Sequence, residues 1–268
     1  MGAGREVSAR WTAILLAGQR PGVDPLAAAF GQEWKALVPI AGEAMLSRVA
    51  RTLLACPSIG RVLILAQTPD ALLTGDCAWL ADEPRVGLAS SGGGIATSIA
   101  VVAGGPAAPW PVLATTADHP LLTVEMVEAM IAGSAGADVA VGVVGRRVLL
   151  GRYPDNRRTW LRFADDGWTG ANLFALRTPD AIRALDAWST VEQDRKKAIK
   201  LVWHFGAWLA IRAVTRTITL AGAMRRAGRR LGFDARPVAL PFAEAGIDVD
   251  KPADHALAES ILDAREAG

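Results

Sequence analysis

The sequence predicts an α/β fold in three layers, with a mostly parallel central sheet covered by helices on both faces. Three observations carry this expectation. Short runs at 12–17, 62–66, 111–116 and 138–144 are apolar on consecutive positions, as strands buried on both faces are. Between them, 44–55, 95–103 and 124–135 place apolar residues at helical spacing, so strand and helix alternate. A chain of 268 residues, 51% hydrophobic and 21% charged, can bury a full core, which excludes a disordered tail or a disulfide-stapled miniprotein.

The first strand follows a short polar segment, 1–10, with no leader cleavage pattern. Thr123 stands where it can cap the helix 124–135, without the Glu or Gln of a full capping box. After 144 comes a polar stretch, 146–166, then a strand at 172–177 and a helix opened by Thr178-Pro179-Asp180, with Pro179 at the first helical position. Helices at 191–213 and 220–231 form a hairpin inserted within one domain spanning 1–268, the insertion covering 191–233. A last strand at 237–241 and a helix at 252–264 close the chain. No run reaches the roughly 18 apolar residues of a membrane span; the nearest, 201–214, contains His204, Gly206 and Arg212.

The formal net charge of +2 conceals two unlike parts. Ten Lys and Arg and no Asp or Glu lie between 195 and 233, leaving 19 basic against 27 acidic residues elsewhere, a formal −8. The hairpin is therefore expected to meet an anionic membrane, another subunit or the domain core; no nucleic-acid recognition motif accompanies it. Cys56 and Cys77 are too few for a disulfide framework, and a reducing cytoplasm is the default expectation, with peripheral contact at the inner membrane face as its extension.

Candidate chemistry sits at strand ends. The first strand runs into Ala17-Gly18-Gln19-Arg20, a small-residue loop whose amides can approach a phosphate, with Arg20 and Lys35 adding charge. Neither Gly-x-x-x-x-Gly-Lys-Ser/Thr nor Gly-x-Gly-x-x-Gly occurs, and an ordinary turn followed by a lysine reads the same way. Asp118, in Asp118-His119-Pro120-Leu121-Leu122, follows a buried strand, where open α/β sheets bind ligands. Near the C-terminus stands Gly246-Ile247-Asp248-Val249-Asp250-Lys251-Pro252-Ala253-Asp254, whose acids could serve a metal, cap a turn or begin the last helix.

The order of a Leu-Ala-Gly loop, a Lys before Leu-x-Pro-x-x-Gly, an Asp-x-Pro-Leu-Leu turn and a terminal Ile-Asp-x-Asp-x-Pro-x-Asp resembles the MobA-like nucleotidyltransferases, which include cytidylyl- and guanylyltransferases. The likeness covers 13–143, returns at 171–258 and fades over the basic segment. It implies a Rossmann-like nucleotidyltransferase fold, an NTP substrate with CTP or GTP favoured, a phosphorylated sugar, polyol, alcohol or cofactor precursor as acceptor, and Mg²⁺. By the same likeness, Ala17, Gly18, Gln19 and Arg20 would lie at the NTP phosphates and Lys35 would neutralise charge at the α-phosphate. Gly93, Gly94 and Ser98 would border the base. Asp118 with Asp250 or Asp248 would hold the metal, while Asn172 and Arg158 would meet the acceptor. Two features depart from the pattern: Gln19 replaces a second loop glycine, and an insertion at 23–34 separates loop from lysine. His119, His204 and His255 are read as structural. The competing readings are a nucleotide-sugar-dependent glycosyltransferase of related fold, disfavoured by Asp118-His119-Pro120 in place of Asp-x-Asp, and a membrane-associated binding module supported only by the hairpin.

Overall fold

The computed structural model describes residues 10–193 and 216–267. Its central sheet follows the order β10-β7-β9-β6-β1-β4-β5. In chain order these strands are β1 (Trp11–Leu16), β4 (Ile59–Ala66), β5 (Val86–Ser90), β6 (Val112–Thr116), β7 (Val139–Gly145), β9 (Gly167–Leu176) and β10 (Ala235–Ala239). Short β8 (Leu161–Arg162) pairs with β9 outside that path, and β2 (Pro39–Ile40) with β3 (Glu43–Ala44) forms a separate ribbon. Every pairing in the main path is parallel except those of β9, which runs antiparallel between β6 and β7.

Alternation along β1 shows why the sheet needs cover on both sides. Ala13 and Leu15 enter one core with α2 (Met45–Ala55) and α4 (Val124–Gly133), while Ile14 and Leu16 enter the other. That second core holds α3 (Ile95–Val102), α6 (Ala181–Gln193) and the end of α7 (Leu220–Leu231). All six residues of β1 are buried, so their consecutive apolar character is a requirement of the layer order. A third, smaller cluster joins α1 (Pro25–Ala29) to the final helix α8 (Pro252–Glu266) through Leu26, Met45, Leu121, Ile247, Val249 and Ile261.

Several boundaries differ from expectation. The stretch 146–166 holds α5 (Arg146–Arg152), anchored by buried Leu149, and β8; its charged residues hid one apolar contact per turn. β9 begins at Gly167, because half its early residues face solvent and break the apolar run. β5 is an edge strand, only partly buried, and lacks a strong apolar signature. Pro179 and Asp180 form a turn ahead of α6, which starts at Ala181. Thr123 does cap α4, accepting a hydrogen bond from Met126 N. Of the expected helix 191–213, the part beyond 193 lies outside the described residues, whereas α7 matches its expected span.

Replacing Leu15 with Ala opens a cavity at the centre of the sheet, where the side chain is 0% exposed. Denaturant unfolding of Leu15→Ala should show a loss of about 2–5 kcal/mol with an unchanged denaturant slope.

Candidate active site

The carboxyl ends of β1, β4, β5 and β6 border a cleft of about 780 Å³. At its centre is the loop after β1. A Cβ at Gly18 would stand 2.9 Å from the Gln67 side-chain oxygen, so a larger residue there would push that side chain aside. Gln67 accepts from Gln19 N at 3.1 Å and donates to Gln19 O at 2.9 Å, fixing the loop backbone. The Gln19 side chain reaches the other way, donating to Glu33 O and accepting from Lys35 N, both at 3.0 Å. The residue that departs from the glycine pattern thus fastens the phosphate loop to the lysine segment. The insertion at 23–34 is itself folded: Asp24 caps α1, accepting from Leu26 N and Ala27 N at 2.9 and 3.0 Å.

Lys35 is the hub. Its Nζ lies 2.6 Å from Asp118 Oδ2 and 2.5 Å from Asp250 Oδ1. Burial alone would lower its pKa, but Asp118 and then Asp250 outweigh that and raise it, so the ammonium persists at neutral pH. Asp118 Oδ1 is buried and accepts no hydrogen bond among the described residues.

Two segments distant in sequence meet at this point. Ala117 N donates to Leu16 O at 2.9 Å, holding the turn after β6 beside β1, and Val249 N donates to Asp118 O at 2.8 Å. In the C-terminal segment Ile247 and Val249 are fully buried, so extended backbone turns Asp248 and Asp250 away from that core. Gly246 makes this close approach feasible: a Cβ there would lie 2.8 Å from a Leu149 methyl and 3.1 Å from Thr169.

Asp248 faces a different neighbourhood from Asp250. It pairs with the Arg158 guanidinium, which also donates to the Asp248 carbonyl at 2.9 Å, and it accepts from Asn172 Nδ2 at 3.1 Å. Asn172 owes its aim to a β-bulge: the β7 and β9 registers slip between Val141 and Val143, and Asn172 adopts a left-handed φ of 49°. The carboxylate considered as a second metal ligand is thereby charge-balanced by Arg158 and hydrogen-bonded by Asn172, the two residues assigned to the acceptor. Nearby His119 is fully buried, and burial holds its pKa below the usual value despite Asp118 and Asp248. It is neutral and hidden from the cleft floor. His255 is likewise buried, its Nε2 2.7 Å from Pro39 O.

At the β5 end, Gly92, Gly93 and Gly94 line the cleft. The Ser98 hydroxyl accepts from Gly92 N at 2.9 Å and donates to Gly94 O at 2.6 Å, so it shapes the loop with its own hydrogen bonds. Sequence reading missed Glu192, whose carboxylate caps α3 by accepting from Ile95 N at 3.0 Å and Ala96 N at 3.3 Å. It comes from α6, 97 positions away, and sits just ahead of a basic run, so no local pattern marks it. Gln67 was also missed, although a polar residue directly after a buried parallel strand is a usable signal.

Among the described residues, neither cysteine nor histidine is coupled to a nucleophile in the cleft; Cys56 and Cys77 are buried, the former with its pKa pushed up to about 12. A lysine between carboxylates, facing loop amides, suits transfer at phosphorus, which needs positioning and charge neutralisation rather than a covalent intermediate. These features define a nucleotidyltransferase. The chain belongs to the MobA-like NTP transferase domain family, whose model matches residues 13–211. A hypothetical transferase from Thermus thermophilus is 28% identical, with a TM-score of 0.76 over 92% of this chain and 99% of its own. Two further structures share the fold at lower identity. A CMP:2-keto-3-deoxy-manno-octonic acid synthetase complexed with CTP has TM-score 0.57 at 14% identity, covering 95% of this chain and 99% of its own. A 4-diphosphocytidyl-2C-methyl-D-erythritol synthase from Anaerococcus prevotii has TM-score 0.55 at 10%, covering 95% and 97%. No curated protein matches the chain.

The Asp248 pair carries a pH signature. Burial would raise this carboxyl, but Arg158 and the Asn172 hydrogen bond hold its pKa below the ordinary aspartate value. A folded pKa below the unfolded one contributes stability that is present above about pH 4 and lost as pH falls through the folded value. Arg158→Ala should cost about 1–3 kcal/mol at pH 7 and flatten the acid limb of the stability profile, as urea titrations between pH 2 and 7 would read.

Proposed function

We propose that the enzyme transfers an NMP group from an NTP, CTP or GTP, to a phosphorylated sugar, polyol, alcohol or cofactor precursor. The observation that carries this reading is the Lys35 ammonium held between Asp118 and Asp250 beside the Gly18 loop. An acceptor phosphate oxygen attacks the α-phosphorus; the new P–O bond forms as the bond to the bridging oxygen of the β-phosphate breaks, and pyrophosphate leaves with that electron pair. Arg20 and the Gly18 amide orient the phosphates, and Lys35 has a third N–H to give a phosphate oxygen. Asn172 and Arg158 border the acceptor side. Gly93 leaves room for the base, on the loop that Ser98 shapes, while the Glu192 carboxylate lies against Gly94.

The carboxylates fit Mg²⁺. Asp118 Oδ1 is a hard oxygen without a hydrogen bond, and Asp250, half exposed, lies across Lys35 from it. Among the described residues no group of three His, Cys, Asp or Glu side chains could hold a metal, so phosphate and water would complete the shell. Bound there, Mg²⁺ would offset charge on the phosphates and on departing pyrophosphate.

A screen of the four NTPs with Mg²⁺ against sugar, polyol and alcohol phosphates, reading pyrophosphate, tests the reaction directly. Release with none of these acceptors would remove it, and a nucleoside diphosphate product from a nucleotide sugar would favour glycosyl transfer instead. Lys35→Ala should lower turnover roughly 10²–10³-fold with a modest change in NTP affinity. Asp118→Asn should abolish metal-dependent turnover; normal turnover at ordinary Mg²⁺ would withdraw the metal assignment.

A further inference from the structure

The cleft leaves one concentration of charge unexplained. Four exposed arginines from three chain segments line a second cavity of about 380 Å³: Arg146 and Arg147 open α5, Arg162 ends β8, and Arg216 lies ahead of α7. It shares no lining residue with the cleft. Asp166 is the one carboxylate in its lining, and Asp166 Oδ1 already accepts from Gly167 N at 2.7 Å. None of the four arginines forms an ion pair with another described residue.

The frame beneath these arginines is fastened in place. Phe163 N donates to Asp166 O at 2.9 Å to close the β8–β9 turn, and Ala164 N donates to Ile218 O at 3.0 Å. Asp165 Oδ1 accepts from Leu220 N at 3.2 Å at the start of α7. The turn that carries Arg162 and the segment that carries Arg216 are therefore joined by two hydrogen bonds. Four like charges gathered on a braced frame repel one another, and a multiply charged anion relieves that repulsion.

We propose that this cavity is a second anion-binding site, taking a phosphate-bearing ligand through the forked donors of its arginines. It lies on the same edge of the sheet as Asp118, two strand spacings across, about 10 Å, since β9 alone separates β6 from β7. It also lies farther out: Trp168, paired with Gly145, is four residues along β9 from Asn172, roughly 13 Å. Phosphates held by Arg20 and Lys35 do not reach it. Val148 and Leu161, next in sequence to Arg147 and Arg162, are 39% and 60% exposed, so the ligand's phosphate can belong to a lipid headgroup as well as to a soluble ester.

Calorimetric titration of pyrophosphate into the full chain tests the site, using the wild type, Lys35→Ala and Arg147→Ala/Arg162→Ala. The wild type should bind at two sites. The double arginine variant should lose one of them, its affinity falling roughly tenfold or more, while Lys35→Ala keeps it. A single site in the wild type, lost in Lys35→Ala and kept in the arginine variant, would confine anion binding to the cleft and overturn the proposal. Two unchanged sites in the arginine variant would overturn it equally. Phosphatidylglycerol vesicles separate the ligand sources: competition with pyrophosphate at the arginine site assigns it to a lipid headgroup, and its absence there to a soluble phosphate ester.

Discussion

One ammonium group ties the chain together: Lys35 reaches Asp118 across 83 positions and Asp250 across 215. A lysine with a side chain only 16% exposed loses hydration, which disfavours its charge, and the two carboxylates that close around it more than offset that loss. The contact therefore demands that the β6 turn and the C-terminal segment arrive at the same point as the loop after β1. Gln19 meets part of that demand by joining loop and lysine backbone, and the Val249–Asp118 backbone hydrogen bond meets another.

The apolar cluster behind this site does what the charges cannot do for themselves. Ion pairs at a cleft contribute little net stability once desolvation is counted, so the position of Asp250 must come from burial. Ile247 and Val249 supply it, packed with α1 and α8. The insertion that separates phosphate loop from lysine is the other wall of this cluster, through Leu26 and Ala27. An element that interrupts the family's loop spacing is thus the support on which the acidic C-terminal segment rests. No described helix is long and apolar enough to cross a membrane, and the apolar residues of the described segments are largely accounted for by these three cores.

Much of the architecture was legible because a doubly covered parallel sheet writes its strands as uninterrupted apolar runs; β1, β4, β6 and β7 all read that way. What escaped was structure whose burial is partial or borrowed. β5 is a half-buried edge, the first turns of β9 alternate with solvent, and α5 is held chiefly by Leu149. The site divides along the same line. Lys35, Asp118 and Asp250 were legible as charged residues at strand ends and in an acidic motif, and they converge. Asp248 carried the same motif signal, yet its role as the partner of Arg158 and Asn172 depends on a bulge that no one-dimensional pattern displays. Glu192 is similar, because a helix cap supplied from another helix is a tertiary event.

Charge along the carboxyl edge of the sheet is sorted by position. At the β5 end the Glu192 carboxylate occupies the first amides of α3, which would otherwise attract an anion. In the proposed reaction a triphosphate would be repelled there and drawn toward Arg20 and Lys35 beside β1, leaving the uncharged base for the glycine loop. Farther on, Asp248 is paired with Arg158, so the residues proposed for the acceptor carry no unpaired carboxylate to repel a phosphate. Lys35 bonds Asp118 Oδ2 and Asp250 Oδ1 together and leaves Asp118 Oδ1 without a hydrogen bond among the described residues. In the proposed reaction, a phosphate oxygen brought to the remaining N–H, together with a cation at the carboxylates, would redistribute that charge among the same three side chains. The free-state clamp and the proposed reactive arrangement therefore use the same side chains, and they differ in which counter-charge the lysine faces.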